Sequence, residues 1–111
     1  MKNYMAIYLG TPGAPGKPEM TDAQTQAGMQ GWMKWATDNK ASIIEMGGPL
    51  GKTKHVDKHG VSDIRNDMTA YTIVRAESHE AATKLFLNHP HFTIFPGDSV
   101  EIMEILPIPT L

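Results

Sequence analysis

The chain contains no cysteine. A disulfide framework, a thiolate nucleophile and a zinc–thiolate site are therefore excluded. It also lacks a surplus of charge of one sign. Ten basic residues stand against twelve acidic ones, a net charge of −2, so there is no overall basic field to attract nucleic acid or an anionic membrane surface. Long apolar runs are missing too. The run from Tyr4 to Leu9, behind the single basic Lys2, is too short for a signal-peptide core and far too short to cross a bilayer. With no export signal, the expected location is the cytoplasm.

What is present is ordinary for a globular protein. The 111 residues are 41% hydrophobic and 20% charged, enough for one domain over residues 1–111 with a core of its own. Eight methionines are expected mainly as fillers of core gaps.

Asn3 to Leu9 reads as a strand, with Met5, Ile7 and Leu9 on one face and Tyr4, Ala6 and Tyr8 on the other. Gly10 to Pro18 holds three glycines and three prolines and reads as an exposed loop, a mobile segment or a lid. Thr21-Asp22-Ala23-Gln24 is a capping box, and the helix behind it runs to about Asn39. Met29, Trp32, Met33 and Ala36 fall within an arc of roughly 100° and form the expected core stripe. Trp35 lies on the flank over Gly28 and near Gly31, glycines that leave a shallow gap and call for a close approach to offset their helix cost. Ser42 to Leu50 is a second strand broken at Gly47-Gly48-Pro49, and Lys52 to Asp67 is a long hairpin excursion. Ala70 to Arg75 is a third strand rich in β-branched and aromatic residues. Ser78 caps a second helix that stops at Pro90, and Ser99 to Leu106 is the last strand, after the Pro96-Gly97 turn.

The order βαββαβ predicts an α+β, ferredoxin-like subunit: a four-stranded antiparallel sheet with two helices on one face. If Met5, Ile7 and Leu9 meet the helices, the opposite face carries Tyr4, Ala6 and Tyr8. The last strand is apolar on both faces, with Val100, Ile102 and Leu106 against Met103 and Ile105. A solvated sheet face alternates cleanly; this one does not, so a covered face and a homodimer joined through sheet faces are expected.

At this point the sequence resembles the YCII-related proteins, and within them a bacterial subgroup of unassigned function. The marks are Tyr4-Met5-Ala6-Ile7-Tyr8, Trp32-Met33-Lys34-Trp35, Glu45-Met46-Gly47-Gly48-Pro49-Leu50, Ala70-Tyr71-Thr72-Ile73, Asn88-His89-Pro90-His91 and Ser99-Val100-Glu101-Ile102-Met103-Glu104-Ile105. The resemblance implies a dimeric α+β barrel. Relatives include small-molecule enzymes for which a His–Asp pair is the suggested catalytic centre. Many take the histidine from the first helix, where this chain has Gln30, Gly31 and Trp32, and the Asp-Gly-Pro-Phe motif of another branch is absent.

The residues themselves offer His89, His91 and Asp98 in the connection between the last helix and the last strand. Either imidazole can act as general base or acid near neutrality, with Asp98 as its orienter. His89 also reads as a cap at the helix end. Trp32, Trp35, Tyr4 and Tyr8 are candidates for the wall of a ligand pocket, or for plain packing. His55, Asp57 and His59 share a strand face, but the outer two are too far apart for one ion and lysines crowd them, so a solvated hairpin and no metal site is expected. Gly47-Gly48-Pro49 lacks the Gly-Lys-Ser/Thr ending of a phosphate loop. Glu101 and Glu104 fall on opposite strand faces and cannot work as a pair. The leading expectation is small-molecule binding between helix 1 and the sheet, with cofactor-free isomerase or lyase chemistry by His/Asp proton transfer. The alternative is a non-catalytic ligand-sensing or protein-interaction module.

Overall fold

The computed structural model describes residues 1–10, 16 and 19–110; most of the glycine–proline segment expected as a loop or lid lies outside them. In chain order the elements are β1 (Lys2–Leu9), α1 (Asp22–Asp38), β2 (Ile43–Pro49), β3 (Thr53–Asp57), β4 (Gly60–Ile64), β5 (Met68–Ala76), α2 (His79–Lys84), α3 (Pro90–Thr93) and β6 (Ser99–Glu104). Strands β2, β5, β1 and β6 form one sheet in that spatial order, and β3 with β4 form a separate hairpin. All pairings are antiparallel. This is the ferredoxin-like arrangement, with the hairpin inserted between its second and third strands.

The sheet uses its faces in the opposite sense to the sequence expectation. Tyr4, Ala6 and Tyr8 are buried under the helices, opposite Val74, Thr72 and Ala70 on one side and Glu104, Ile102 and Val100 on the other. Met5, Ile7 and Leu9 share the open face with Ile73 and Met103. Both sets are apolar, so periodicity separates them without saying which is inside. The tyrosine set wins because the large rings meet other rings: Tyr8 packs on Trp32 and Phe86 at centroid distances of 4.7 and 6.1 Å.

Helix α1 is likewise rotated from its expected stripe. Its capping box forms, with Thr21 and Gln24 exchanging bonds of 2.9 and 3.1 Å. Yet Gly28 and Trp35 are the buried positions, while Met29 and Met33 are 56% and 64% exposed. The glycines decide the rotation. A Cβ on Gly28 would lie 2.4 Å from the ring of Phe95, and one on Gly31 would lie 2.6 Å from Cδ1 of Ile94. The close approach that the glycines called for is therefore made by the segment after α3, which fills the expected gap. Trp35, turned inward, donates its indole N–H to the Leu85 carbonyl at 2.8 Å.

Ser78 caps α2 through the amide of Ala81 at 3.0 Å, but α2 ends at Lys84, earlier than expected. Asn88 takes a left-handed φ of 60° and reverses the chain. Pro90 then opens α3 instead of closing a helix, since proline suits the first helical turn, where its missing N–H is not needed. The Gly47-Gly48-Pro49 stretch also differs from expectation. It is not a turn but stays in β2, with irregular pairing on β5, as an edge strand allows for proline. Gly47 has φ 69°, and a Cβ there would lie 2.0 Å from the Tyr71 carbonyl oxygen.

The Cα radius of gyration is 15.7 Å and the extents are 51 × 43 × 18 Å, against roughly 13 Å for a compact chain of this length. A protruding arm accounts for the excess. Val56 and Val61 face each other across the hairpin and are 71% and 69% exposed. No helix among the described residues is long and apolar enough to cross a membrane.

Candidate functional site

The 88–98 connection carries two imidazoles to different places. His89 is fully buried, and its hydrogen bonds fix its tautomer. The backbone N–H of His91 can only donate, so Nδ1 of His89 accepts it at 2.9 Å; this bond caps α3. In the neutral ring the proton must then sit on Nε2, which faces the Tyr8 hydroxyl at 3.4 Å. Tyr8 in turn donates to Oγ1 of Thr72 at 3.1 Å, and Thr72 donates to the Met46 carbonyl at 3.0 Å. The chain runs one way because it ends on a group that can only accept. Burial, and secondarily the charge of His91, push the His89 pKa down to about 3. Burial also raises the Tyr8 pKa, against the opposing Thr72 bond. His89 is thus a neutral structural group whose two nitrogens are both engaged.

Trp32, which contacts His89, also lines a cavity of about 380 Å³. Met29, Trp32 and Met33 of α1 form one wall, and Met46 to Pro49 of β2 with Ala70 and Tyr71 of β5 form the other. His91, Phe95 and Gly97 close the end. The lining is mostly apolar carbon and thioether sulfur, a surface that adapts to flat rings. The His91 ring, 4% exposed, belongs to this wall. Its Nε2 donates to the Leu9 carbonyl at 2.6 Å, which leaves Nδ1 as the acceptor nitrogen of the neutral ring. The same carbonyl accepts the backbone N–H of Asp98 at 2.9 Å. Gly97 lies against the imidazole, and a Cβ there would come within 2.3 Å of Nε2.

The structure therefore sorts the candidates. His91 and Trp32 line the cavity, and Asp98 joins His91 at one carbonyl, with its carboxylate beside Gly10. His89, Tyr8, Tyr4 and Trp35 do not line it. Tyr4 packs tilted on His79 at 5.1 Å, and Trp35 packs tilted on Phe86 at 5.2 Å and edge-on against His89 at 4.5 Å. All four rings belong to the core because the sheet and α1 are each turned from the expected face. Sequence reasoning missed Met29, Met33, Met46, Phe95 and Tyr71. The three methionines were expected to fill the core; the available signal was that two of them sit at i and i+4 beside Trp32.

Elsewhere, Asp57 organises the hairpin turn, meeting His55 at 3.1 Å and the amide of His59 at 2.8 Å. No group of three histidine, aspartate or glutamate side chains among the described residues is placed to hold a metal ion. Glu101 and Glu104 do lie on opposite faces, and Glu104 meets Lys2 at 3.7 Å. Tyr71 donates to Glu45 at 2.9 Å, and that bond raises its pKa.

No family model and no curated protein matches the chain. Among solved structures it is similar to 5-chloro-2-hydroxyhydroquinone dehydrochlorinase from Burkholderia phenoliruptrix in complex with 2,5-dihydroxybenzoquinone, at 17% identity and a TM-score of 0.57. The match covers 91% of this chain and 90% of that one. The likeness is one of fold, the ferredoxin-like α+β arrangement described above.

Proposed function

We propose that the chain is a cytoplasmic, YCII-related protein that works as a homodimer and binds a small, flat, largely apolar molecule between α1 and the sheet. His91 is its proton-transfer group, in a cofactor-free isomerisation or elimination. The observation that carries this reading is the apolar cavity with an imidazole in its wall, held by the Leu9 carbonyl so that Nδ1 is the basic nitrogen. An imidazole is a side chain that can serve as general base or general acid. Asp98 acts as a positioning residue, its amide sharing that carbonyl. His89 takes no part in proton transfer and holds the His91 backbone instead. That the structural neighbour was solved with a quinone supports a ring of this size as the ligand class.

The homodimer rests on the open sheet face. Met5, Ile7, Leu9, Ile73 and Met103 make it largely apolar, with Glu101 opposite Ile7, and a second copy covers it. Light scattering on the purified protein is expected to give twice the 12.2 kDa chain mass, and Ile7→Lys to give the monomer.

The test of the site is thermal unfolding against phenols and quinones, followed by deuterium exchange into any ligand that binds. A ligand at 100 times its dissociation constant adds about 2.7 kcal/mol, a rise of several degrees for a domain of this size. His91→Gln keeps a donor for the Leu9 carbonyl but removes the imidazole. Binding retained with exchange lost assigns the proton transfer to His91. Exchange unchanged in the variant removes His91 from the mechanism, and binding without exchange in either protein identifies the non-catalytic sensor.

A further inference from the structure

We infer that the ligand of this pocket is a ring bearing an anionic arm, and that Lys52 and Arg65 receive the arm in a second cleft that continues the first. The inference rests on the pocket reading given above.

The second cleft, of about 710 Å³, lies where the hairpin leaves the sheet. Thr69 lines both it and the ring cavity, and the two walls run on from each other across the Pro49–Leu50 peptide. One molecule can therefore occupy both. Their chemistry differs. The ring cavity offers carbon, sulfur and His91, whereas the cleft offers Lys52, Lys54 and Arg65 above a floor of Leu50, Ile64 and Met68.

The charges in the cleft do not cancel. Lys54 is taken by Asp63 in an exposed pair. Lys52 and Arg65 make no ion pair among the described residues. Two cations thus remain available beside an apolar floor, which suits a short alkyl chain ending in a carboxylate. Asn66 keeps the cleft in shape rather than binding: its Nδ2 donates to Thr53 at 3.3 Å and its Oδ1 accepts the Met68 amide at 2.9 Å. That leaves the fork of Arg65 as the bidentate partner for the acid.

The experiment compares phenylacetate, phenylpropionate and phenylbutyrate with the matching alcohols by calorimetric titration at low salt, on the wild type and on Lys52→Gln/Arg65→Gln. Both substituted side chains are exposed, so the fold is retained. The expected result is a preference of about tenfold for the acid of the best-fitting length, since two exposed ion pairs each contribute modestly. It weakens with added salt and disappears in the double variant, with alcohol binding unchanged. Acid and alcohol binding alike, or a preference that survives the double substitution, overturns the anionic arm and leaves the ring pocket standing. If neither acids nor alcohols bind, while phenols and quinones also fail to shift unfolding, the pocket reading falls and this inference with it. Phenylpropyl phosphate in the same series separates a carboxylate from a phosphate arm by which of the two binds more tightly.

Discussion

Two imidazoles two residues apart have opposite surroundings. His89 sits in a closed region, in contact with the Trp35 and Phe86 rings, and its hydrogen bonds run in one direction to the Met46 carbonyl. His91 sits at the wall of an open one, facing methionine and aromatic carbon. Trp32 touches both, with its ring centroid 4.5 Å from His89 and 6.3 Å from His91. The same side chain is structural where it is enclosed by rings of the core, and becomes a candidate for chemistry where it is held by a carbonyl in the wall of a cavity. Among the described residues no buried side-chain nitrogen or oxygen lacks a partner, so the polar groups of the closed region are satisfied within the protein.

Breaking the closed region gives the largest effect. Trp35→Ala removes a buried ring and its bond to Leu85, and is expected to destabilise by about 3–5 kcal/mol, read as a lower urea midpoint. Ring ligands should still bind the folded fraction. Tyr8→Phe is milder. It removes the hydroxyl that His89 faces, at a cost of about 1–3 kcal/mol, with the cavity wall intact.

A pH series sharpens the contrast. The His89 pKa is pushed down to about 3 in the folded protein, whereas the unfolded ring takes up a proton near 6.5. Between those values the unfolded state binds more protons, so His89 stability is complete above about pH 6.5 and is lost as the pH falls toward 3. The slope is about 1.4 kcal/mol per pH unit at most. Urea titrations at pH 7.5 and 5 should show it as a difference between the wild type and His89→Gln, whose slope is the shallower. Equal slopes would place a charged imidazole in the core and break the comparison. The smallest effect on stability belongs to the open region. Met33→Ala, at a 64% exposed position, should stay within about 0.5 kcal/mol of the wild type while weakening ring ligands measurably by calorimetry.

The sequence by itself determined the elements whose cause is local. The capping box at Thr21, the cap at Ser78 and the alternation in β1 each depend on neighbours within a few residues, and each formed. From these came the order of strands and helices, hence the ferredoxin-like sheet. It also brought His89, His91 and Asp98 to one connection. Only the tertiary structure decided which way the elements face. Both sides of β1 are apolar, and a period of two carries no sign. In α1 the rotation was set by Gly28 and Gly31, residues with no hydrophobic weight, through the ring of Phe95 more than sixty positions away in the chain. That rotation sent Trp35 into the core and Met29 and Met33 to the cavity. The division of labour between His89 and His91 was settled at the same level, because a tautomer depends on which partner lies at each nitrogen, and those partners come from distant strands.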